Sequence, residues 1–323
     1  MMMKAWRMTQ TGSPDVLQLS DVERPQPGAG QVLIRVMAAG FNPIDTKIRA
    51  GIAAIAPESG VIGCDVSGIV EALGEGVSEF NVGDAVFGCA GGVKGHSGAL
   101  AEFMVADAAL LAPAPASISL AESATLPIAA LTADAVLKRL NPQAGDAVFV
   151  VGASGAVGLM ACQMANLRGC RVAGSAGTAQ RLERVREFGA EACLHADIAA
   201  HIASGTKYPF VLDTFGTSGL QSALGLADVY GQVATINARG QHELALAHAK
   251  SLTLHAIFIL LPLLNGVGRP ALGQALREIA AAIDGGKLAG LPVEVVGMSQ
   301  VRDVHTRYEQ GMLPDKVVML ADF

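Results

Sequence analysis

Residues 148–158 read VFVVGASGAVG, and LMACQMANL follows at 159–167. A short apolar run, three glycines at a spacing of three (Gly152, Gly155, Gly158) and a helix-like run predict strand, turn and helix in immediate succession. A dinucleotide pyrophosphate requires that arrangement: a tight turn, backbone N–H groups approached without obstruction, and close helix–strand packing, with the positive helix N-terminus beneath the anion. The backbone at Gly152, Ser154, Gly155, Ala156, Val157 and Gly158 is therefore the expected cradle. The spacing is G-x-x-G-x-x-G rather than the commoner G-x-G-x-x-G, and a glycine turn by itself also serves ligand-free packing. Its place between a strand and a helix, opening an alternating run, supports the nucleotide reading.

Downstream of the turn, the alternation predicts strands at 171–174, 192–194, 209–213 and 230–236, with helices at 178–187, 197–204 and 217–226 between them. Upstream, Ala147–Val151 is the first strand of this series, and a helix over 127–140 begins with Pro127 at a position where no N–H is needed. These βα units predict a buried parallel sheet. The first 120 residues differ in texture. Short alternating strands (Lys4–Met8, Val16–Val22, Gln31–Ala38, Ser67–Leu73, Leu100–Val105) are separated by Gly- and Pro-rich turns such as PQPGAG at 25–30, which predicts an all-β unit of barrel type. After an apolar strand at 252–259, helices near 271–284 and 299–309 and a last strand Lys316–Leu320 are too few for a domain, so the tail is expected to complete the first one. The expected division is 1–125 with 262–323, and 126–261 as the dinucleotide-binding domain.

The choice of nucleotide is legible at the end of the second strand of the series. An NAD site places Asp or Glu about 20 residues beyond the glycines to accept from the ribose 2′-OH. RVAGSAGTAQR at 171–181 contains no acid, while Ser175 and Thr178 supply hydroxyls and Arg181 a cation, which predicts a 2′-phosphate and hence NADPH. His195, beside Ala196, is read as a strand-end histidine without a ligand, a ring stacked near the adenine or phosphate being the alternative, and Asp213 as a turn former. Residues 1–125 hold two cysteines and one histidine (Cys64, Cys89, His96), too few ligands for a catalytic or structural zinc, so no metal is expected. Cys64 reads as a small buried apolar residue.

Composition narrows the class further. With 51% hydrophobic and only 16% charged residues among 323, much surface is expected to be covered by further copies of the chain, as a homodimer or homotetramer. A formal net charge of −6 without a basic cluster excludes electrostatic docking on nucleic acid or an anionic membrane, leaving a small-molecule partner. Five cysteines, none spaced C-x-x-C, fit a reducing, cytoplasmic location. The longest apolar stretch, Ala256–Leu264, is too short to span a bilayer, so a soluble protein is expected.

In their order, AAGFNPIDTKIRAG (38–51), PESGVIGCDVSGIV (57–70), VGDAVFG (82–88), GALAEFMV (98–105), ATLPIAALTADAVL (124–137), VVGASGAVG (150–158), GSAGTAQR (174–181) and DKVVML (315–320) resemble the zinc-free medium-chain dehydrogenase/reductases. The resemblance is to their quinone oxidoreductase and alkenal reductase branch. It implies a GroES-like β-barrel domain built from both chain ends beside a Rossmann domain, an α/β class overall, with substrate in the cleft between them. It also implies hydride transfer from NADPH to an electrophile, either a quinone or an enone. N-P-x-D stands in place of the cysteine-bearing zinc segment of the alcohol dehydrogenases, and G-x-D-x-x-G in place of their His-Glu pair. By the same resemblance Asn42 holds the nicotinamide ribose or carboxamide, Lys47 places an ammonium near the substrate oxygen, and Thr132 and Asn237 border the nicotinamide. Asp45 either orients Lys47 or pairs with Arg49 at i, i+4, the pair being the expectation here. Tyrosines that contact substrate in several quinone oxidoreductases are replaced by Lys47 and Ala53, which turns the expectation toward alkenals. A nucleotide-binding protein without catalysis, a redox sensor or structural relative, is the alternative.

Overall fold

The computed structural model describes residues 1–313 and 315–323 and divides into two units, Met1–Ile128 with Leu260–Phe323, and Ala129–Ile259. In chain order the strands are β1 (Met2–Arg7), β2 (Gln18–Glu23), β3 (Gln31–Gly40), β4 (Asp65–Leu73), β5 (Ala85–Cys89), β6 (Phe103–Asp107), β7 (Leu111–Pro113), β8 (Ala147–Val151), β9 (Arg171–Ala176), β10 (Glu191–Leu194), β11 (Tyr208–Asp213), β12 (Ala227–Thr235), β13 (Thr253–Ala256), β14 (Val293–Gly297) and β15 (Lys316–Leu320). The helices are α1 (Pro43–Arg49), α2 (Leu120–Ser123), α3 (Pro127–Leu140), α4 (Ala156–Leu167), α5 (Ala179–Glu187), α6 (Ile198–Ala203), α7 (Ser218–Leu226), α8 (Ala245–Ala249), α9 (Leu261–Asn265), α10 (Arg269–Asp284) and α11 (Val301–Glu309).

The second unit is a six-stranded sheet in the order β10-β9-β8-β11-β12-β13, parallel at every pairing. Counting from β8 this is 3-2-1-4-5-6, the doubly wound order whose direction reverses between β8 and β11, where such sheets bind ligands. The apolar runs form these strands because both faces are covered. Phe149, Val151, Val211 and Val233 are buried together with Leu220, Leu224 and Leu226 of α7 in one cluster. Each fully buried side chain of this kind contributes roughly 1.5–3 kcal/mol relative to exposure.

In the first unit, β3 is the hub of a sheet ordered β14-β15-β3-β4-β5-β7, with β6 also paired to β3. β15 runs antiparallel to β3, pairing Val318 with Gly40. β1 and β2 form a separate antiparallel hairpin. Two sequence expectations change. The strand at 252–259 stops at Ala256, because the chain turns into α9, which carries Pro262 in its first turn. β14 (VEVVG) is not among the expected strands: its five residues carry the valines of a strand, but the run is short, and it is a half-exposed strand at the end of its sheet, paired only with β15. Among the described residues no helix is long and apolar enough to cross a membrane.

Candidate active site

β8 delivers the chain into the glycine turn, and three local constraints set its shape. Gly152 has φ +79°, and a Cβ there would meet Thr214 Oγ1 at 2.4 Å. That threonine, just past β11, donates to the carbonyls of Val151 (2.9 Å) and Gly152 (3.0 Å) and so clamps the turn across the switch point. A Cβ on Gly158 would lie 2.6 Å from backbone atoms of Gly152 and Ala153, so only glycine lets α4 pack this close. Gly155 caps α4 in extended conformation and is exposed, while Ser154, Ala156 and Val157 are half-buried. The first N–H groups of this 12-residue helix lack intrahelical acceptors and carry its positive end. The turn therefore suits a phosphate-bearing ligand by shape and by charge.

At the end of β9, Thr178 is exposed and caps α5, accepting from the N–H of Arg181 at 3.3 Å; Arg181 is half-buried. No carboxylate stands between Gly174 and Leu182. Ser175 does not project beside them. It is fully buried behind the turn, accepting from Gly152 N–H (3.4 Å) and hydrogen-bonded to His195 Nδ1 (2.9 Å), so its place is structural rather than at the surface expected for a phosphate donor. Asp213 is the turn former expected: its carboxylate accepts from Phe215 N–H, Gly216 N–H and Thr235 Oγ1. Asn237 donates from Nδ2 to Phe215 O at 3.0 Å and packs against Gly216, where a Cβ would meet its Nδ2 at 2.6 Å. Thr132 is buried within α3.

The second concentration of polar groups surrounds α1. Asn42 and Asp45 form a reciprocal capping box, Asp45 Oδ2 accepting from Asn42 N–H at 2.8 Å. The Asn42 side chain is fully engaged: Nδ2 donates to Asp65 Oδ2 (2.8 Å) and to Gly40 O (3.3 Å), and Oδ1 accepts from Lys316 Nζ (2.5 Å). Lys316 also pairs with Asp65 Oδ2 at 3.5 Å, and Asp65 Oδ1 accepts from Ile128 N–H. Two buried carboxyls thus share one ammonium. Asp45 is the carboxyl pushed furthest toward its protonated form: its pKa is raised to about 7, first by burial and also by the Asp65 charge, against the opposing pull of Asn42 N–H, Lys316 and Cys64. Asp65, with more donors, is raised as well, chiefly by burial.

This geometry corrects two expectations. Asp45 does not pair with Arg49; it turns back to the helix start, and Arg49, itself buried, reaches Glu309 on α11. Cys64 is not merely apolar filler: it hydrogen-bonds Asp45, and burial pushes its thiol well above the ordinary range, so it stays neutral. Lys47 is half-buried, and its carbonyl accepts from Ala53 N–H at 2.9 Å. Sequence reasoning missed Lys316 and Asp65, which lie 251 residues apart, and Thr214; a charged residue inside each of the quoted stretches DKVVML and GCDVSG was the available signal. His96 Nε2 lies 2.9 Å from Arg269 Nη2. Among the described residues no group of three or more His, Cys, Asp or Glu is arranged to hold a metal ion.

Fold and turn together define a two-unit protein of GroES-like and Rossmann-like architecture. Residues 28–116 match the family described as alcohol dehydrogenase GroES-like domain, and 156–281 that described as zinc-binding dehydrogenase. Quinone oxidoreductase of Rattus norvegicus is 36% identical over 252 residues, 75% of each chain. An NADPH-dependent alkenal/one oxidoreductase, chloroplastic, of Arabidopsis thaliana is 35% identical over 222 residues, 66% of this chain and 58% of that one. The crystal structure of an alcohol dehydrogenase superfamily protein from Novosphingobium aromaticivorans superposes over the whole of both chains with a TM-score of 0.91 at 33% identity. The chain belongs to the medium-chain dehydrogenase/reductase superfamily and is an oxidoreductase of that type.

Proposed function

We propose that the protein is a zinc-independent, NADPH-dependent reductase of quinones or α,β-unsaturated carbonyls, with 126–261 as its nucleotide-binding domain. The observation that carries this reading is the carboxylate-free end of β9, where Thr178 and Arg181 stand one helical turn apart beside the glycine turn. An acid there would repel a 2′-phosphate; a hydroxyl and a guanidinium attract it, and a charge-assisted hydrogen bond of this kind is worth ~1.5–3 kcal/mol. The names of the rat and Arabidopsis relatives support the substrate class, and the count of two cysteines and one histidine in residues 1–125, below the three protein ligands plus supporting residues of a zinc site in that unit, favours zinc independence.

The α4 N-terminus and the backbone from Gly152 to Gly158 would hold the pyrophosphate, and Thr132 and Asn237 the nicotinamide side. NADPH, when bound, supplies hydride from C4 of its ring. The chain's own task is then to stabilise the negative charge that develops on the acceptor oxygen, which a positioned cation does best where water is excluded. Lys47 is assigned that role. Asn42 and Asp45 are positioning residues: they fix the start of the helix that carries Lys47 through the capping box and the Lys316–Asp65 pair. A homo-oligomer and a cytoplasmic setting complete the reading, in keeping with Leu254 and Phe258 exposed on and just beyond the edge strand β13 and with five free cysteines.

The test is oxidation of NADPH and of NADH against a panel of naphthoquinones, alkenals and enones, with and without a chelator. Turnover that prefers NADPH and ignores the chelator is expected. Stoichiometric zinc with loss of activity on chelation overturns the zinc-independent reading. Tight NADPH binding without turnover on the whole panel selects the non-catalytic alternative.

A further inference from the structure

Among the described residues, His305 is the one buried side chain whose polar atoms are all without a hydrogen-bond partner: Nδ1 and Nε2 are both enclosed, and neither meets a donor or acceptor of the chain. The guanidinium of Arg49 is in a similar position. Its Nη2 pairs with Glu309, while Nε and Nη1 are buried and unpartnered. His305 and Glu309 stand four residues apart on α11 and so share one face of that helix, which brings the Arg49 guanidinium to the face that His305 occupies. Arg49 is also the charged group that acts on the imidazole. Packing fixes this ring without satisfying it. Phe41 stands edge-on to it, with centroids 5.1 Å apart and planes at 75°. A ring N–H aimed at an aromatic face is a weak contact that occupies one nitrogen at most, so at least one nitrogen of His305 and two of Arg49 still need partners. Buried polar groups nearly always find them, in the protein or in ordered water.

We infer that Arg49 and His305 form an internal hydration site of the first unit, in which ordered water bridges the guanidinium of α1 to the imidazole of α11. Two features select water over a small anion. The neutral imidazole presents one donor and one acceptor, so the bridging ligand must both accept and donate, which an anion without a proton cannot do. Glu309 already matches the single charge of Arg49, so an anion would bring an unmatched negative charge into the interior. Water making about three hydrogen bonds to otherwise unsatisfied groups is the usual occupant of such a place. The bridge anchors the last residue of α1 to α11, while the Asn42–Asp45 capping box anchors its start. The site stands independently of the nucleotide and substrate readings above.

The experiment is crystallography of the full chain at a resolution that shows ordered solvent, on native crystals and on crystals soaked in sodium bromide, paired with oxygen-17 relaxation dispersion in solution on the wild type and on His305→Phe. The expected result is oxygen density within hydrogen-bond reach, about 2.7–3.2 Å, of Arg49 Nε or Nη1 and of a His305 ring nitrogen, with no anomalous signal from bromide there. His305→Phe, which keeps a ring against Phe41 but removes both nitrogens, is expected to lose at least one long-lived internal water. Bromide at the site overturns the assignment to water in favour of an anion. No density between the two side chains, or a folded His305→Phe that retains the wild-type number of long-lived waters, overturns the site itself. Should that variant not fold, the crystallographic result decides alone.

Discussion

Replacing Asp45 by asparagine isolates the energetic cost of the buried α1 cluster. Asp45 is 2% exposed and titrates at about 7 in the folded protein against an ordinary value of 3.8. Because the folded-state value is raised, the native chain holds a proton that the unfolded chain has already lost between these two values, so stability falls as pH rises from about 4 through 7. At 1.36 kcal/mol per unit the full penalty above pH 8 is ~4 kcal/mol, of which ~2.5 kcal/mol develops between pH 5 and pH 8. The substituted amide keeps an oxygen to accept from the Asn42 N–H and carries an NH₂ group in place of the protonated oxygen, but does not ionise. The stability of D45N relative to wild type is therefore expected to improve by ~2.5 kcal/mol between pH 5 and pH 8, which for a chain of this length melting as one unit is about 4 °C in Tm. Thermal and urea denaturation of both proteins at half-unit pH steps reads this directly. Parallel stability–pH curves would refute the reasoning and place an ionised Asp45 in the native state at pH 5.

Other substitutions test the remaining assignments. Arg181→Ala should raise the KM for NADPH about tenfold or more with kcat little changed, since it removes binding common to ground and transition states; steady-state kinetics with both nucleotides check it. Lys47→Ala should lower kcat by at least tenfold while nucleotide affinity by titration stays unchanged; an unaltered kcat returns Lys47 to an ordinary surface role. Gly158→Val puts side-chain atoms against backbone at 2.6 Å, so loss of nucleotide binding and a lowered Tm are expected by titration and calorimetry. His305, buried and brought to about 3 by desolvation and by Arg49, is neutral in the folded protein. The unfolded chain takes up its proton below about 6.5, so stability falls as pH drops from there toward 3, and His305→Leu should flatten that limb of the denaturation curve.

The doubly wound unit was legible because its signals are local. Strand β8 with its three glycines, the alternation of apolar runs and helix-length segments, and the absence of acid after β9 all lie within about 35 contiguous residues or repeat at short spacing. The return of the chain end to the first unit followed from simple arithmetic on leftover elements, and β15 sits against β3. Half-exposed β14 was overlooked because its run, VEVVG, is only five residues long and none of them is fully buried, although its valines are strand formers.

The candidate site divides along the same line. Asn42, Asp45 and Lys47 were visible as a motif, but their roles were not, because charge pairing is decided by whichever partner is nearest in space. Helical spacing favoured Asp45 with Arg49; the fold instead gave Arg49 to Glu309, 260 residues away, and left Asp45 to cap α1 beside Asp65 and Lys316. Ser175 shows the same limit, since its alternation along β9 does not say which neighbour claims its hydroxyl. The sequence determines where chain can turn tightly and which faces must be buried, since those follow from residue type and period. Tertiary structure alone decides which buried polar groups meet, and so which carboxyl is pushed toward its protonated form.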